Sequence, residues 1–354
     1  MSDAPEDQPD TIDRDSAVVA GAAAARTARA TGPAAAPSRT PKHRPTPYDR
    51  WGYVFVGPWV LGFLLFTLGP MVASIAISFT DYDLAKARFV GIDNYREIIW
   101  QQNPDGSHGD PRFYQSLWNT FYYAAFAVPL GLTGSLLLAM LLNEKVKGLP
   151  VFRTIYYLPT LVPAVASSLL WIWILQPEKG LLNNFLGWLF RTPLLEWAHL
   201  TAPRWLQDPG WSKPSLILMS LWGIGGSRML IFLAGLQGIS DQYYEAAKID
   251  GAGPWTRFRH VTLPLITPII FFNLVLGVIG AFQTFTQAYI MTNGGPQNST
   301  LFYALYLYKC AFEWYQMGKA SALAWILFVI LLSFTYLQFR QSRKWVHYEG
   351  EHEE

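Results

Sequence analysis

The side chains best suited to handle a solute are neutral. In the segment 283–287, Gln283 and Gln287 stand four apart, a spacing that on one helix shares a face, with Thr284 beside them. Upstream, Ser220, Trp222 and Ser227 add hydroxyls and an aromatic face around Gly223, Gly225 and Gly226. Amides, hydroxyls and aromatic faces recognise hydroxyl-rich neutral molecules; they are poor at making or breaking bonds. Both groups sit in strongly apolar surroundings, where an unpartnered amide is costly. Two readings stay open for the amides, contact with a solute or hydrogen bonding between helices. The glycines allow the same choice, since they also permit close helix packing.

Arg228 is the one charge well inside these apolar stretches. Counted back from residue 240 at 1.5 Å per residue, it lies about 18 Å along a helix, near mid-membrane depth. A cation there costs at least roughly 2.5 kcal/mol and marks a pathway or a partner. It can donate to solute hydroxyls or to an anionic substituent such as phosphate, or it can pair with a group on a neighbouring subunit.

Catalytic patterns are missing from the sequence. It holds no HExxH, no GxSxG and no paired carboxylates within the apolar runs. Cys310 is the sole cysteine and no Cys/His cluster accompanies it, so neither a metal nor an internal disulfide is expected. Gly318-Lys319 lacks the preceding glycine and following Ser/Thr of a phosphate-binding loop. No catalytic residue and no cofactor is therefore expected, and energy for any transport has to come from another polypeptide.

The elements that position these residues are apolar helices. Hydrophobic residues make up 51% of the 354-residue chain and charged ones 15%, against roughly 25% charged in soluble proteins. Six runs are long enough to cross a bilayer as helices: 51–79, 117–142, 152–175, 214–236, 265–291 and 318–339. The expected fold is thus an all-α membrane protein of six transmembrane helices. Prolines at 58, 70, 129, 159, 163 and 268 predict kinks. Basic residues cluster at Lys42, Arg44 and Arg50, at Lys145, Lys147 and Arg153, at Lys248, Arg257 and Arg259, and at Arg340, Arg343 and Lys344. That pattern places both termini in the cytoplasm. Residues 1–50 are rich in Ala, Pro and Thr without apolar periodicity and read as a disordered tail; 51–340 form the membrane domain and 341–354 a short cytoplasmic tail. A net charge of +2 gives no sign of a nucleic-acid partner. The segment 89–99 reads as a short amphipathic helix at the interface, and 299–316 as an aromatic-rich segment packed on the outer mouth.

The loop 240–264, SDQYYEAAKIDGAGPWTRFRHVTLP, lies between the fourth and fifth runs. Ser240 or Asp241 can cap a helix, Tyr244, Ala247 and Ile249 give it a greasy side, and Gly251 and Gly253 end it before a basic helix at 255–260. By physics alone this is either an amphipathic loop lying on the membrane or a knob that another surface can grip. The spacing resembles the EAA signature of ABC importer permeases: Glu245-Ala246-Ala247, Gly251, then Val261 and Leu263-Pro264, with Val261 where the family usually has Ile. Much of 50–340 is similar to the carbohydrate-uptake branch of maltose and glycerol-phosphate type, including FVGIDNYREII, DPRFYQSLWNT with Asn119-Thr120, and FQTFTQAYIMTNGGPQNST.

The resemblance implies a type I importer permease in a bacterial cytoplasmic membrane, not itself an enzyme. Glu245, Ala246, Ala247 and Gly251 would dock on a cytoplasmic ATPase dimer. A second homologous permease subunit and an extracytoplasmic solute-binding protein would complete the machine, with a sugar as substrate and lipid around it. The rival is a stand-alone secondary transporter or channel, which commonly carries intramembrane Asp, Glu or His; the six runs have no such carboxylate.

Overall fold

One long helix, α4 (Pro111–Leu141), organises the helical structure. The computed structural model describes residues 47–83, 85–101, 108–144, 147–190 and 202–347. Two units divide the chain, Met1–Leu65 and Phe66–Glu354. Helix α1 (Pro47–Phe63) starts four residues inside the expected tail, and the rest of that tail, residues 1–46, lies outside the described residues. A π-helical turn, Leu64–Leu68, leads into α2 (Gly69–Ser78). Pro70 cannot donate to the carbonyl one turn back, and the ladder widens there.

A two-stranded antiparallel ladder follows, β1 (Thr80–Tyr82) against β2 (Ala87–Phe89), with Asp81 opposite Arg88. It is a small addition to an otherwise helical fold. Helix α3 spans Asp93–Trp100, so the start of the 89–99 segment is strand and turn rather than helix. Nor is α3 a free interfacial helix. Asn94 and Ile98 are buried, and Asn94 Nδ2 donates to the carbonyls of Ser78 (2.8 Å) and Thr80 (2.9 Å).

Helix α4 begins at its cap Asp110, whose carboxylate accepts from the Arg112 N–H at 2.9 Å. Its buried stripe, Tyr123, Ala127, Gly131, Ser135 and Leu138, recurs every three to four residues. Small residues along that stripe let neighbouring backbones come close. The third run folds as α5 (Leu149–Tyr157), a 3-10 turn (Leu158–Leu161) and α6 (Ala164–Ile174), bent by 94°. Pro159 and Pro163 remove donors, and Val162 is extended as the residue before proline prefers. After α7 (Leu181–Phe190), the run 214–236 becomes α8 (Pro209–Leu221) and α9 (Ser227–Gly238). The loop helices are α10 (Asp241–Ile249), α11 (Pro254–Arg257) and the short α12 (Leu263–Leu265). Then come α13 (Thr267–Phe282), α14 (Thr286–Met291), α15 (Tyr303–Tyr308) and α16 (Met317–Ser342).

Four stretches are long and apolar enough to cross a membrane: Trp51–Ser78, Pro111–Leu141, Thr267–Met291 and Met317–Ser342. The bent pair Leu149–Leu161 and Ala164–Ile174 is a fifth if it forms one span. The expected fourth run is interrupted at 222–226, where three of five residues are glycine. A Cβ on Gly225 would sit 2.1 Å from the Tyr156 carbonyl oxygen and one on Gly226 2.5 Å from Thr160 Cγ2, so these two glycines serve close packing. Ser135 of α4 donates to the freed carbonyl of Ile224 at 2.8 Å.

Helices α8, α9, α13 and α15 pack around α4. Near its N-terminal end, Phe302, Tyr303, Leu305 and Tyr306 are fully buried, so the first part of the 299–316 segment is core, while 312–316 are exposed. There Lys319 Nζ of α16 lies 2.9 Å from Glu97 and 2.8 Å from Asp110, and Tyr306 also donates to Asp110. Burial pushes the Asp110 carboxyl up, but the hydrogen bonds from Lys319 and Tyr306 outweigh it and hold the group below its ordinary value. Residues 348–354 of the expected C-terminal tail lie outside the described residues.

Candidate functional site

The loop 240–264 forms a self-closed knob. Ser240 caps α10 by accepting from the Gln242 N–H. At the other end the Ala252 N–H bonds the Ala247 carbonyl at 2.8 Å, and the Gly251 N–H bonds Lys248 at 3.0 Å. This crossed pair is a Schellman closure, which needs a left-handed residue between helix and exit. Gly251 provides it at φ +76°, and open space surrounds the position, so only backbone geometry demands glycine. Pro254 then starts α11 at a position where its missing N–H does no harm.

Helix α10 buries one side only. Tyr244 and Ala247 are half-buried, and the Tyr244 hydroxyl meets Thr262 Oγ1 at 3.0 Å. Ile249 belongs to the opposite side and is 87% exposed, so the expected single greasy face is split. Five residues from Tyr244, Ile249 is rotated well away from it on a 3.6-residue helix. Glu245, Ala246 and Gly251 are exposed, as is Trp255 at 70%. The expected basic helix at 255–260 is instead the single turn of α11 followed by a π-helical turn, Phe258–Thr262. The knob thus presents small and apolar groups on a rigid, unpartnered face.

The second site lies among the apolar helices. Ser220, Arg228 and Thr284, from α8, α9 and the α13–α14 break, line one cavity of about 170 Å³ with Tyr123 and Gly131 of α4 and Gly277 of α13. The Tyr123 phenol faces the Ser220 and Thr284 hydroxyls. Helix α13 stops at Phe282, and Thr284 Oγ1 turns back to the Gly280 carbonyl at 3.3 Å. Such back-bonding competes with the helix ladder. Gln283 and Gln287 therefore do not share a helix face: Gln283 is exposed at the end of α13, and Gln287 lies in the first turn of α14. The remaining expected residues lie off the cavity. Trp222 is half exposed, its ring edge-on to Trp171 at 5.9 Å, and Ser227 is exposed at the start of α9.

Sequence reasoning did not single out Tyr123. The available signal was a phenol in mid-span, which has to find polar company when buried. The Asp110–Lys319 pair was missed as well; its partners are 209 residues apart and neither forms a local motif.

Residues 112–346 match the family described as binding-protein-dependent transport system inner membrane component. A probable ABC transporter permease, YesP of Bacillus subtilis, is 44% identical over 306 residues, covering 85% of this chain and 93% of that protein. The lactose transport system permease LacF of Rhizobium radiobacter is 33% identical, over 84% of this chain and 95% of its own length. A solved bacterial alginate ABC transporter, in complex with an alginate pentasaccharide-bound periplasmic protein, contains a chain that superposes with TM-score 0.71. That chain is 24% identical, and the match covers 84% of this chain and 95% of that one. The chain belongs to the family of binding-protein-dependent transport system inner membrane components. It is a membrane-embedded permease component of an ABC transport system rather than an enzyme, with the fold of the ABC importer permeases.

Proposed function

We propose that this chain is the translocating subunit of an ATP-driven sugar importer in a bacterial cytoplasmic membrane. The observation that carries the reading is the exposed helix Asp241–Ile249, closed by left-handed Gly251 and presented in a loop between apolar spans. A short helix with exposed Ala246 and Ile249, followed by exposed Trp255 on the next turn, is suited to enter a groove on a cytoplasmic ATPase dimer. Glu245, Ala246, Ala247 and Gly251 are the docking residues in this reading. Sugar as cargo is supported by the hydroxyl-lined cavity and by relatives named for lactose and alginate transport. Six crossings, with the Pro209–Leu221 and Ser227–Gly238 pair as the fourth, put both termini inside. A second homologous permease closes the path, and a solute-binding protein delivers cargo from outside.

The test is reconstitution of the chain with its partner subunits and binding protein in proteoliposomes. Sugar-dependent ATP hydrolysis and uptake are expected, and Ile249→Asp should uncouple them. Uptake by this chain alone down an ion gradient, unaffected by Ile249→Asp, would overturn the reading.

A further inference from the structure

A cation among apolar helices has to be neutralised or solvated. The Arg228 guanidinium is turned into the chain's own cavity. A Cβ built on Gly131 of α4 would lie 2.6 Å from its Nη1, and one built on Gly277 of α13 would lie 3.7 Å from its Nη2. The two helices therefore hold the fork between them, and both are glycine where it passes. Among the described residues no aspartate or glutamate pairs with it; the ion pairs there are made by Arg88, Lys309 and Lys319.

Two further features at this place suit negative charge. The Tyr123 phenol lines the same cavity and can donate, whereas the Ser220 and Thr284 hydroxyls there already donate to the Ile217 and Gly280 carbonyls. Helix α9 begins at Ser227, so its first unbonded N–H groups and its positive end lie beside Arg228. The guanidinium fork matches a carboxylate or phosphate with two parallel hydrogen bonds. Neutral hydroxyls would leave its charge uncompensated in low dielectric.

We propose that this cavity binds an oxyanion carried by the transported solute, a sugar carboxylate or a sugar phosphate, with Arg228 selecting for the charge. The proposal rests on the importer reading above and narrows its cargo from sugars in general to acidic sugars. It gives the Tyr123 phenol the task of donating to the same group.

The test uses the full importer in proteoliposomes with its binding protein and internal ATP. The probes are a glucuronate-containing disaccharide, the neutral glucose disaccharide of the same linkage, and glucose 6-phosphate. An acidic probe should enter in preference to the neutral one, and which acid is preferred separates carboxylate from phosphate. Arg228→Gln should lower the acid-to-neutral uptake ratio roughly ten- to hundredfold, the worth of one charge-assisted hydrogen-bonded contact. Arg228→Lys, which keeps the charge without the fork, should fall between. If Arg228→Gln fails to assemble with the ATPase chains, Gly131→Ala displaces the guanidinium without removing it, and the same ratio should fall. A ratio unchanged in the assembled variant, or a wild type that takes the neutral probe in preference, overturns the proposal and leaves the sugar reading intact. Failure of all three probes to enter the wild type overturns both.

Discussion

The cytoplasmic knob and the interior around α4 are built by opposite means. In the knob, the bonds that set its shape join residues no more than 18 apart: the Ser240 cap, the crossed bonds onto Ala247 and Lys248, and Tyr244 to Thr262. Around α4 the ties are long. Ser135 reaches Ile224, Asn119 Nδ2 reaches the Asn298 carbonyl at 2.8 Å, and Thr120 accepts from the Tyr303 N–H at 2.8 Å. The knob has almost no buried side chains and is stiffened by backbone geometry; the interior is stiffened by burial and cross-helix polar bonds. A change in the knob should therefore cost transport without unfolding the chain, whereas a change in the interior should register first as lost stability.

Gly251→Pro should sharpen that contrast most. Proline locks φ near −65° where +76° is required, and it deletes the N–H that bonds Lys248. The local cost is about 3 kcal/mol, enough to open the closure. Uptake and cargo-stimulated ATP hydrolysis should fall to background while insertion and thermal melting stay near wild type. Gly251→Asn, which tolerates the left-handed region at about 1 kcal/mol or less, should retain most activity. Loss of folding in the proline variant would break the comparison, because it would make the knob part of the core.

Lys319→Met should do the reverse. It leaves Asp110 and Glu97 without their cation, with Asp110 mostly buried at 15% side-chain exposure. Removing one member of such a pair costs about 3 kcal/mol, read as a lower melting temperature in detergent. Asp110→Asn in the same chain should recover part of it. The Asp110 carboxyl is held below its ordinary value, so its contribution is complete above about pH 4 and is lost as pH falls further. The melting difference between wild type and Asp110→Asn should stay flat from neutral pH to about 4 and close below it.

The same contrast explains what could be read from the sequence. The ends of the knob's first helix were legible, because capping, a left-handed glycine and an N1 proline are local rules, but its split apolar face and the π-helical turn at Phe258–Thr262 were not. Long apolar runs gave the helices, but their breaks followed tertiary chemistry. Ile224 leaves the helical ladder because Ser135, on another helix, accepts the task of bonding its carbonyl. Gln283 and Gln287 looked co-facial by spacing, yet Thr284 and Phe285 interrupt the helix between them, with Phe285 stacked among Tyr289 and Tyr308 at 5.3 and 4.9 Å. The buried donors and acceptors around Asp110 are likewise visible only once α3, α15 and α16 are brought together.

A smaller effect is expected from Tyr123→Phe. The phenol is buried at 6% exposure and faces Ser220 and Thr284. Losing one buried hydroxyl costs about 1 kcal/mol, and the ring stays packed on Phe302 at 5.1 Å. Melting should shift slightly, while uptake should drop several-fold if the hydroxyl donates to cargo. Equal, small losses in both would make the phenol a packing residue alone.

The smallest effect in stability should come from Tyr244→Phe, which removes the 3.0 Å bond to Thr262. At a half-exposed site one neutral hydrogen bond contributes about 0.5–1 kcal/mol, so melting should hardly move. Yet this bond joins α10 to the turn that leads into α13, and α13 supplies the Gly277 wall of the cavity. If the knob moves as a body with α13, the variant should still dock the ATPase and hydrolyse ATP, but transport fewer cargo molecules per ATP. An unchanged ratio would mean that the continuous backbone from Pro254 to Phe282 carries the motion unaided, and that the knob is tied to the interior by chain connectivity rather than by side chains.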